Sequence, residues 1–166
     1  LLDVQFSTSK NYKPVVTAAG AANVKFQGFT VDGDGQGNAN VYFLGVAFYN
    51  AGGELLDCEV IGIRNNPLDG GQHGVALYGL HDDGGTYTVY CRDNDVYDFQ
   101  KNGMAWNSIN GSVVTLEVTG NTVTGSPGMT ADNGDPAQNG IQVLGVGTTA
   151  LIDGNTVSGI GYDNTN

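Results

Sequence analysis

Cationic side chains are scarce: six Lys and Arg stand against 17 Asp and Glu in 166 residues, a formal net charge of −11. That balance excludes nucleic acid as a partner, because its phosphates are held by clusters of Lys and Arg. It also disfavours anionic membrane surfaces. No apolar run is long enough to span a bilayer as a helix. Two cysteines, Cys58 and Cys91, are too few for a disulfide framework. The repeat register described below puts them in different kinds of position, which favours free thiols. No window has the apolar spacing of a long amphipathic helix, and this excludes an α-rich fold. An initiator Met and a signal-peptide pattern are both missing, so the chain reads as a mature form or an excised fragment.

Gly is abundant, at 27 of 166 residues, more than twice the usual share of about 7%. Between the glycines lie short runs of Val, Thr, Tyr, Phe and Ile, closed by Asn, Asp or Gly. These read as many short strands joined by turns. The length suits one domain, residues 1–166, with a core of its own.

The runs repeat. A Val follows a corner five times: Val31 in "GFTVDG", Val60 in "CEVIG", Val96 in "NDVYD", Val123 in "NTVTG" and Val157 in "NTVSG". Two residues before these stand Phe29, Cys58, Asn94, Asn121 and Asn155. Asn tolerates the left-handed backbone of a tight corner, so the Asn residues are expected to be the turning residues. Further upstream, Val24/Phe26, Gly53/Leu55, Val89/Cys91, Leu116/Val118 and Ala150/Ile152 form i, i+2 pairs on one face of a strand. A second phrase, Gly plus an apolar residue, starts at Gly45, Gly74, Gly103 and Gly140. It predicts a third strand with Val46/Phe48, Val75/Leu77, Met104/Trp106 and Ile141/Val143 pointing inward. Three short strands per coil and about five coils describe an all-β, right-handed parallel β-helix, a solenoid in which stacking hides each coil's apolar face.

The stretches "NVKFQGFTVDG", "GNTVTG…NGIQV" and "GNTVSGI" resemble the repeats of the pectin-lyase-like superfamily, from about residue 15 onward. That group includes pectate lyases, polygalacturonases and alginate epimerases. The resemblance implies a secreted or cell-surface protein that meets an extracellular polysaccharide. It also implies a substrate groove beside the third strand, at the corner where the long loops gather. The paired Asp, Gly-His-Gly and Arg-x-Lys set of polygalacturonases is absent, as is the Asp-Pro-His run of the epimerases.

Candidate site residues follow from these patterns. Outward positions of the third strand are expected to form a trough of small Ala beside two stacked tyrosines, Tyr49 and Tyr78, with Asn107 and Gln142 further along. Aromatic rings pack on the C–H faces of sugars while the phenol offers a hydrogen bond; the other reading of Tyr49 and Tyr78 is a ladder that stiffens the sheet, or tyrosines covered by a loop. Lyase or epimerase chemistry needs a base, an acid and a cation facing the uronate. His73, Arg64 and Lys101 are the loop residues of those types. In "DGDGQGNAN", Asp32 and Asp34 have the alternating oxygens of a calcium loop, although position twelve is Phe43 and not Glu. Asp132 and Asp135 form a weaker acidic pair. Both ends lack a recognisable cap, which predicts end-to-end contact with further β-helix coils or another subunit. The leading expectation is a structural or polysaccharide-binding module, and the alternative is a polysaccharide lyase, epimerase or hydrolase, or a fragment of one.

Overall fold

The structure is a computed structural model describing residues 11–40, 42–69, 71, 73–126 and 138–161. Among the described residues, fifteen short strands wind into a parallel β-solenoid. The first sheet takes β1 (Lys13–Ala19), β4 (Phe43–Tyr49), β7 (Val75–His81), β10 (Asn102–Ser108) and β13 (Asn139–Leu144). The second takes β2 (Val24–Gln27), β5 (Gly53–Leu56), β8 (Thr86–Arg92), β11 (Val113–Thr119) and β14 (Thr148–Asp153). The third takes β3 (Thr30–Asp32), β6 (Glu59–Ile61), β9 (Asp95–Tyr97), β12 (Thr122–Thr124) and β15 (Thr156–Ser158). Four full turns separate β1 from β13, each sheet is five strands deep, and every pairing is parallel. The single helical element among the described residues is a 3-10 turn, Gln36–Ala39.

The five valines pair rung to rung as one file: Val31 with Val60, Val60 with Val96, Val96 with Val123, and Val123 with Val157. Four of them are 0–3% exposed. Full burial of a Val stabilises by about 1.5–3 kcal/mol, so this file is a main support of the rod. It also explains the glycines of the first sheet. A Cβ on Gly45 would stand 2.6 Å from Val60 Cγ1, and one on Gly103 would stand 2.5 Å from Val123 Cγ1. Glycine is what lets the first sheet close against the Val file.

The third-sheet corner works differently from the sequence expectation. The left-handed residues are Gly28, Asp57, Asp93, Gly120 and Gly154, with φ from 52° to 70°. Each stands one place before the Asn column. The asparagines instead form a ladder. Asn94 N–H and Asn94 Nδ2 both donate to Asn121 Oδ1, at 3.0 and 2.8 Å, and Asn121 repeats this onto Asn155. Their amide groups also donate to the carbonyls of Leu55, Cys91 and Val118. Chain direction is changed by Gly or Asp, and the buried polar backbone of the corner is satisfied by Asn. Cys58 and Cys91 are buried and unbridged.

One rung of the first sheet is displaced by two residues from expectation. Leu77 pairs with Val46 and Met104, and Gly79 pairs with Phe48 and Trp106, so the inward pair of β7 is Leu77/Gly79. Val75 packs on the outer cluster instead. Ala76, not Gly74, stands level with Gly45 and Gly103. The cause is volume: a Cβ on Gly79 would lie 2.0 Å from Trp106 Cε3, so the inward indole requires glycine on the rung before it.

Candidate functional site

Of the two readings of the first sheet's outer face, an open trough and covered tyrosines, the structure has the second. The face is a second buried cluster of Tyr12, Leu44, Ala47, Tyr78, Leu80 and Ala105, with Tyr42, Tyr49 and Val75 packed against it. The corrected register parts the two tyrosines. Tyr78 pairs with Ala47 and Ala105, whereas Tyr49 pairs with Leu80. Tyr12 covers Tyr78 at a ring distance of 5.2 Å. Tyr78 Oη donates to Tyr12 Oη and accepts from Asn107 Nδ2, both at 3.2 Å, and burial pushes its hydroxyl pKa up. Gln142 Oε1 accepts from Asn102 Nδ2 at 2.9 Å. Tyr78 and Asn107 are thus joined to the fold and offer no open aromatic wall.

The loop corner does bring Arg64, His73 and Lys101 to one region, and it holds the Arg64 and His73 side chains in structural bonds. Arg64 Nε donates to Asp98 Oδ1 at 2.7 Å and its Nη1 donates to the Asn65 carbonyl at 2.8 Å. His73 Nε2 lies 3.0 Å from Asn65 Oδ1, and Asn65 Nδ2 donates to both Asp69 oxygens. Buried Gln100 donates to Asp69 and accepts the Asn65 N–H at 2.7 Å. The Gly71 N–H, followed by the Asn65 amide, holds the Asp69 carboxyl below the ordinary range. The Lys101 N–H donates to the Gly74 carbonyl at 2.8 Å. Asn65, Asp69 and Gln100 form the hub of this network, which loop-by-loop reading missed because the three residues come from two different coils.

In the calcium candidate, Asp32 Oδ1 accepts the Asp34 N–H at 2.7 Å and Asp34 Oδ2 accepts Gln36 Nε2 at 3.3 Å. The carboxylates close an Asx turn on themselves. Among the described residues no three His, Cys, Asp or Glu side chains gather as a metal site, and calcium takes six to eight oxygens. Asp32 and Asp34 are engaged within their own loop. Asp132 and Asp135 lie outside the described residues.

A groove does exist, at the corner between the first and second sheets. Gly20, Ala21, Ala22, Asn23, Asn50, Gly52, Asp83, Thr86, Tyr87 and Thr88 line a cavity of about 380 Å³. A shallower one of about 410 Å³ shares Asn23 and continues past Lys25, Glu54, Tyr90 and Arg92. The β7 strand ends in His81, and the turn to β8 carries Asp82 and Asp83. Tyr87 Oη donates to Asp83 Oδ2 at 2.5 Å, while the Gly85 N–H donates to Oδ1 at 2.8 Å. The phenol and that N–H hold the Asp83 carboxyl below its ordinary range. Partial burial and the same carboxylate push the Tyr87 hydroxyl up to about 12. Asn50 and Asp82 bond reciprocally: Nδ2 donates to Oδ1 at 2.9 Å, and the Asp82 N–H donates to Asn50 Oδ1 at 2.8 Å. Tyr49 belongs to this corner, its hydroxyl pKa raised by burial and then by Asp82.

Below the groove sits His81, 1% exposed, with Nε2 2.9 Å from the Ala51 carbonyl and its ring 4.7 Å from that of Tyr87. A carbonyl partner identifies Nε2 as the protonated nitrogen. Burial lowers the His81 pKa, against the opposing pull of the Ala51 carbonyl and Asp83.

No protein-family model, curated protein or solved structure matches this chain. What its groove can do therefore rests on the groove itself. In the 380 Å³ cavity a ring edge, a fixed carboxylate, two amides and two threonine hydroxyls face one space, and none of its lining residues is a cation. That is a set of hydrogen-bond acceptors and donors beside an aromatic surface. The shallower cavity adds Tyr90 under Arg92, 4.1 Å from guanidinium carbon to ring centroid. Arg92 is already paired with Glu117 at 2.7 Å and Glu54 at 3.0 Å.

Proposed function

We propose that this chain is a β-solenoid module of a secreted or surface-displayed protein, of the pectin-lyase-like kind, that binds an uncharged polysaccharide along the first-to-second sheet corner. Its scaffold role includes end-to-end contact with further coils. The observation that carries the glycan reading is the lining of the 380 Å³ groove: Tyr87, Asp83, Asn23, Asn50, Thr86 and Thr88, with no Lys or Arg. Sugar hydroxyls bond to carboxylates and amides, and sugar C–H faces pack on aromatic rings. A polyuronate would bring its own carboxylates against Asp83 and needs a cation that this lining lacks.

The groove's carboxyl supports binding over turnover. Glycoside hydrolysis needs one carboxyl kept protonated near neutrality. Asp83, the carboxyl in the lining of the 380 Å³ groove, is held below its ordinary range by the Tyr87 phenol and the Gly85 N–H. A charged Asp83 is an acceptor, not an acid.

The test is titration calorimetry against neutral glucans, mannans and xylans, with pectate and alginate alongside, while reducing ends and unsaturated products are followed. The expected result is binding of a neutral glycan without turnover, weakened about tenfold by Asp83→Asn or Asn23→Ala, the loss of one charge-assisted bond. Binding of pectate or alginate alone, or product release abolished by Asp83→Asn, overturns the reading.

A further inference from the structure

The last rung of the rod combines open strand edges with an exposed apolar file, and the first rung, whose Val31 is 3% exposed, does not. β13, β14 and β15 each stand at the end of their sheet, so all three are paired on one side only. The inward file that is 0–3% exposed at Val31, Val60, Val96 and Val123 is 47% exposed at Val157. Ile152, which continues the row of buried Cys91 and Val118, is 49% exposed. The edges and the apolar file coincide on one face.

The Asn ladder shows what that face receives. In each step, the corner N–H of one coil donates to the Asn Oδ1 of the next, and the next Asn Nδ2 donates back to a carbonyl two strands' ends away: Leu55, Cys91, then Val118. Extending this series by one step, the Asn155 N–H calls for an amide oxygen and the Ile152 carbonyl for an amide N–H. The ladder is also polarised. Toward the start of the chain its positions are filled by Cys58 and Phe29, neither of which carries an amide. Phe29 is edge-on to Phe26, 6.0 Å between ring centroids, and closes the corner with apolar contact.

We infer that the rung formed by β13, β14 and β15 is a docking face for a further parallel β-solenoid coil bearing Asn at the corner, and that the first rung of a second copy, with Phe29 in that place, is not its occupant. The incoming coil supplies three parallel strands at the usual spacing of about 4.8 Å, an apolar residue over Val157, and a carboxamide that caps Asn155 and Ile152. This specifies the partner of the end-to-end contact and rests on that part of the proposed function, not on the glycan groove. Failure here leaves groove binding untouched, and failure of groove binding leaves this face untouched.

The experiment extends the full chain after Asn166 by a copy of residues 98–124 that carries Trp106→Val, because this position of the copy falls over Val143 and not over a glycine; the copy brings one complete coil with its corner Asn. A second version carries Ala, and a third Phe, in place of the copied Asn121. Amide hydrogen exchange is read at Asn155 and along β14, with the amides of β8 and β11 as the control that the parent coils remain folded. The Asn version is expected to slow exchange at Asn155 by roughly tenfold or more and to raise the melting temperature, while the Ala and Phe versions lose most of both effects. Equal protection by all three versions, or unchanged exchange at Asn155 with the Asn version, overturns the inference. Ultracentrifugation of the unextended chain separates out the other occupant: it is expected to stay monomeric, and concentration-dependent head-to-tail association overturns the exclusion of a second copy.

Discussion

The two well-defined corners of the rod solve the same steric problem in opposite ways. At the corner before the third sheet, like residues stack on like: a left-handed Gly or Asp, then Asn, on coil after coil. Each amide is consumed by its neighbours, and Asn94 and Asn121 are almost wholly buried. At the corner before the second sheet, the succession changes from rung to rung. Asn50 pairs with Asp82, His81 turns under the chain to Ala51, and Tyr87 meets Asp83. Some of these groups, Asn50, Asp83 and Tyr87, also line a groove there. Repetition uses up polar capacity in holding the stack, and irregularity leaves some available for a ligand.

The largest expected effect tests the ladder. Asn121→Ala strips the buried Asn94 N–H of its acceptor and the Cys91 carbonyl of its donor. Each unsatisfied buried group costs about 1–3 kcal/mol, so a loss of about 3 kcal/mol is expected by urea denaturation. That corresponds to a fall in melting temperature of roughly 6–12 °C for a domain of this size. Asn50→Ala, at the groove corner, is only half-buried and is expected to cost about 1 kcal/mol. Equal costs at the two sites would erase the contrast between them.

A middling effect separates the corners by pH. His81 has a folded pKa below its unfolded value because burial penalises the cation. Above the unfolded pKa of about 6.5 both states are neutral and its stabilising contribution is complete. As pH falls below that value, the unfolded chain takes up the proton first and stability declines, levelling off once pH has passed the folded pKa. The Ala51 and Asn107 carbonyls, Asp82 and Asp83 surround the ring and oppose the shift, so the slope is expected to stay well under the one-proton limit of about 1.4 kcal/mol per pH unit. Urea midpoints measured between pH 7.5 and 5 should fall in the native chain and stay flatter in His81→Gln, whose amide can still donate to Ala51. The ladder corner has no titratable group in its Asn column, so Asn121→Ala should shift the whole curve without changing its shape.

The same contrast explains what the sequence disclosed. The Val file, the Asn column and the alternating faces of the second sheet were legible because each is written once per coil, and stacking converts sequence period directly into contact. The left-handed column was equally visible as Gly28, Asp57, Asp93, Gly120 and Gly154, but the adjacent Asn column carried the more familiar turn signal. The slip at β7 arose because "GVAFY" and "GVALY" look like the same rung, while the requirement that fixes the register, room for Trp106 over Gly79, comes from the next coil. The covered outer face depended on Tyr12, whose 66-residue separation from Tyr78 no local pattern reports. The groove was missed because Tyr87 shares the parity of Val89 and Cys91 and so reads as core. Its position beside a corner, with Asp83 within reach, turns the hydroxyl outward.

The smallest expected effect bears most directly on that groove. Tyr87→Phe keeps the ring against His81 and removes only the bond to Asp83 Oδ2. The Gly85 N–H still holds Oδ1, so the stability loss at neutral pH should stay near 0.5–1 kcal/mol. Asp83 then loses the donor that contributes most to its lowered pKa. A carboxyl with a depressed folded pKa stabilises above its unfolded value of about 3.9, and that contribution disappears as pH falls through the folded pKa. The variant should therefore lose a smaller increment of stability below about pH 4 than the native chain, with the two unfolding curves converging in acid. Glycan affinity should drop several-fold even though the aromatic surface is intact, because Asp83 is no longer held in one rotamer by two donors. If affinity were unchanged in Tyr87→Phe while Asp83→Asn abolished it, the carboxylate would be acting without its phenol, and the groove corner would need only one of the two irregular pairs that distinguish it from the ladder.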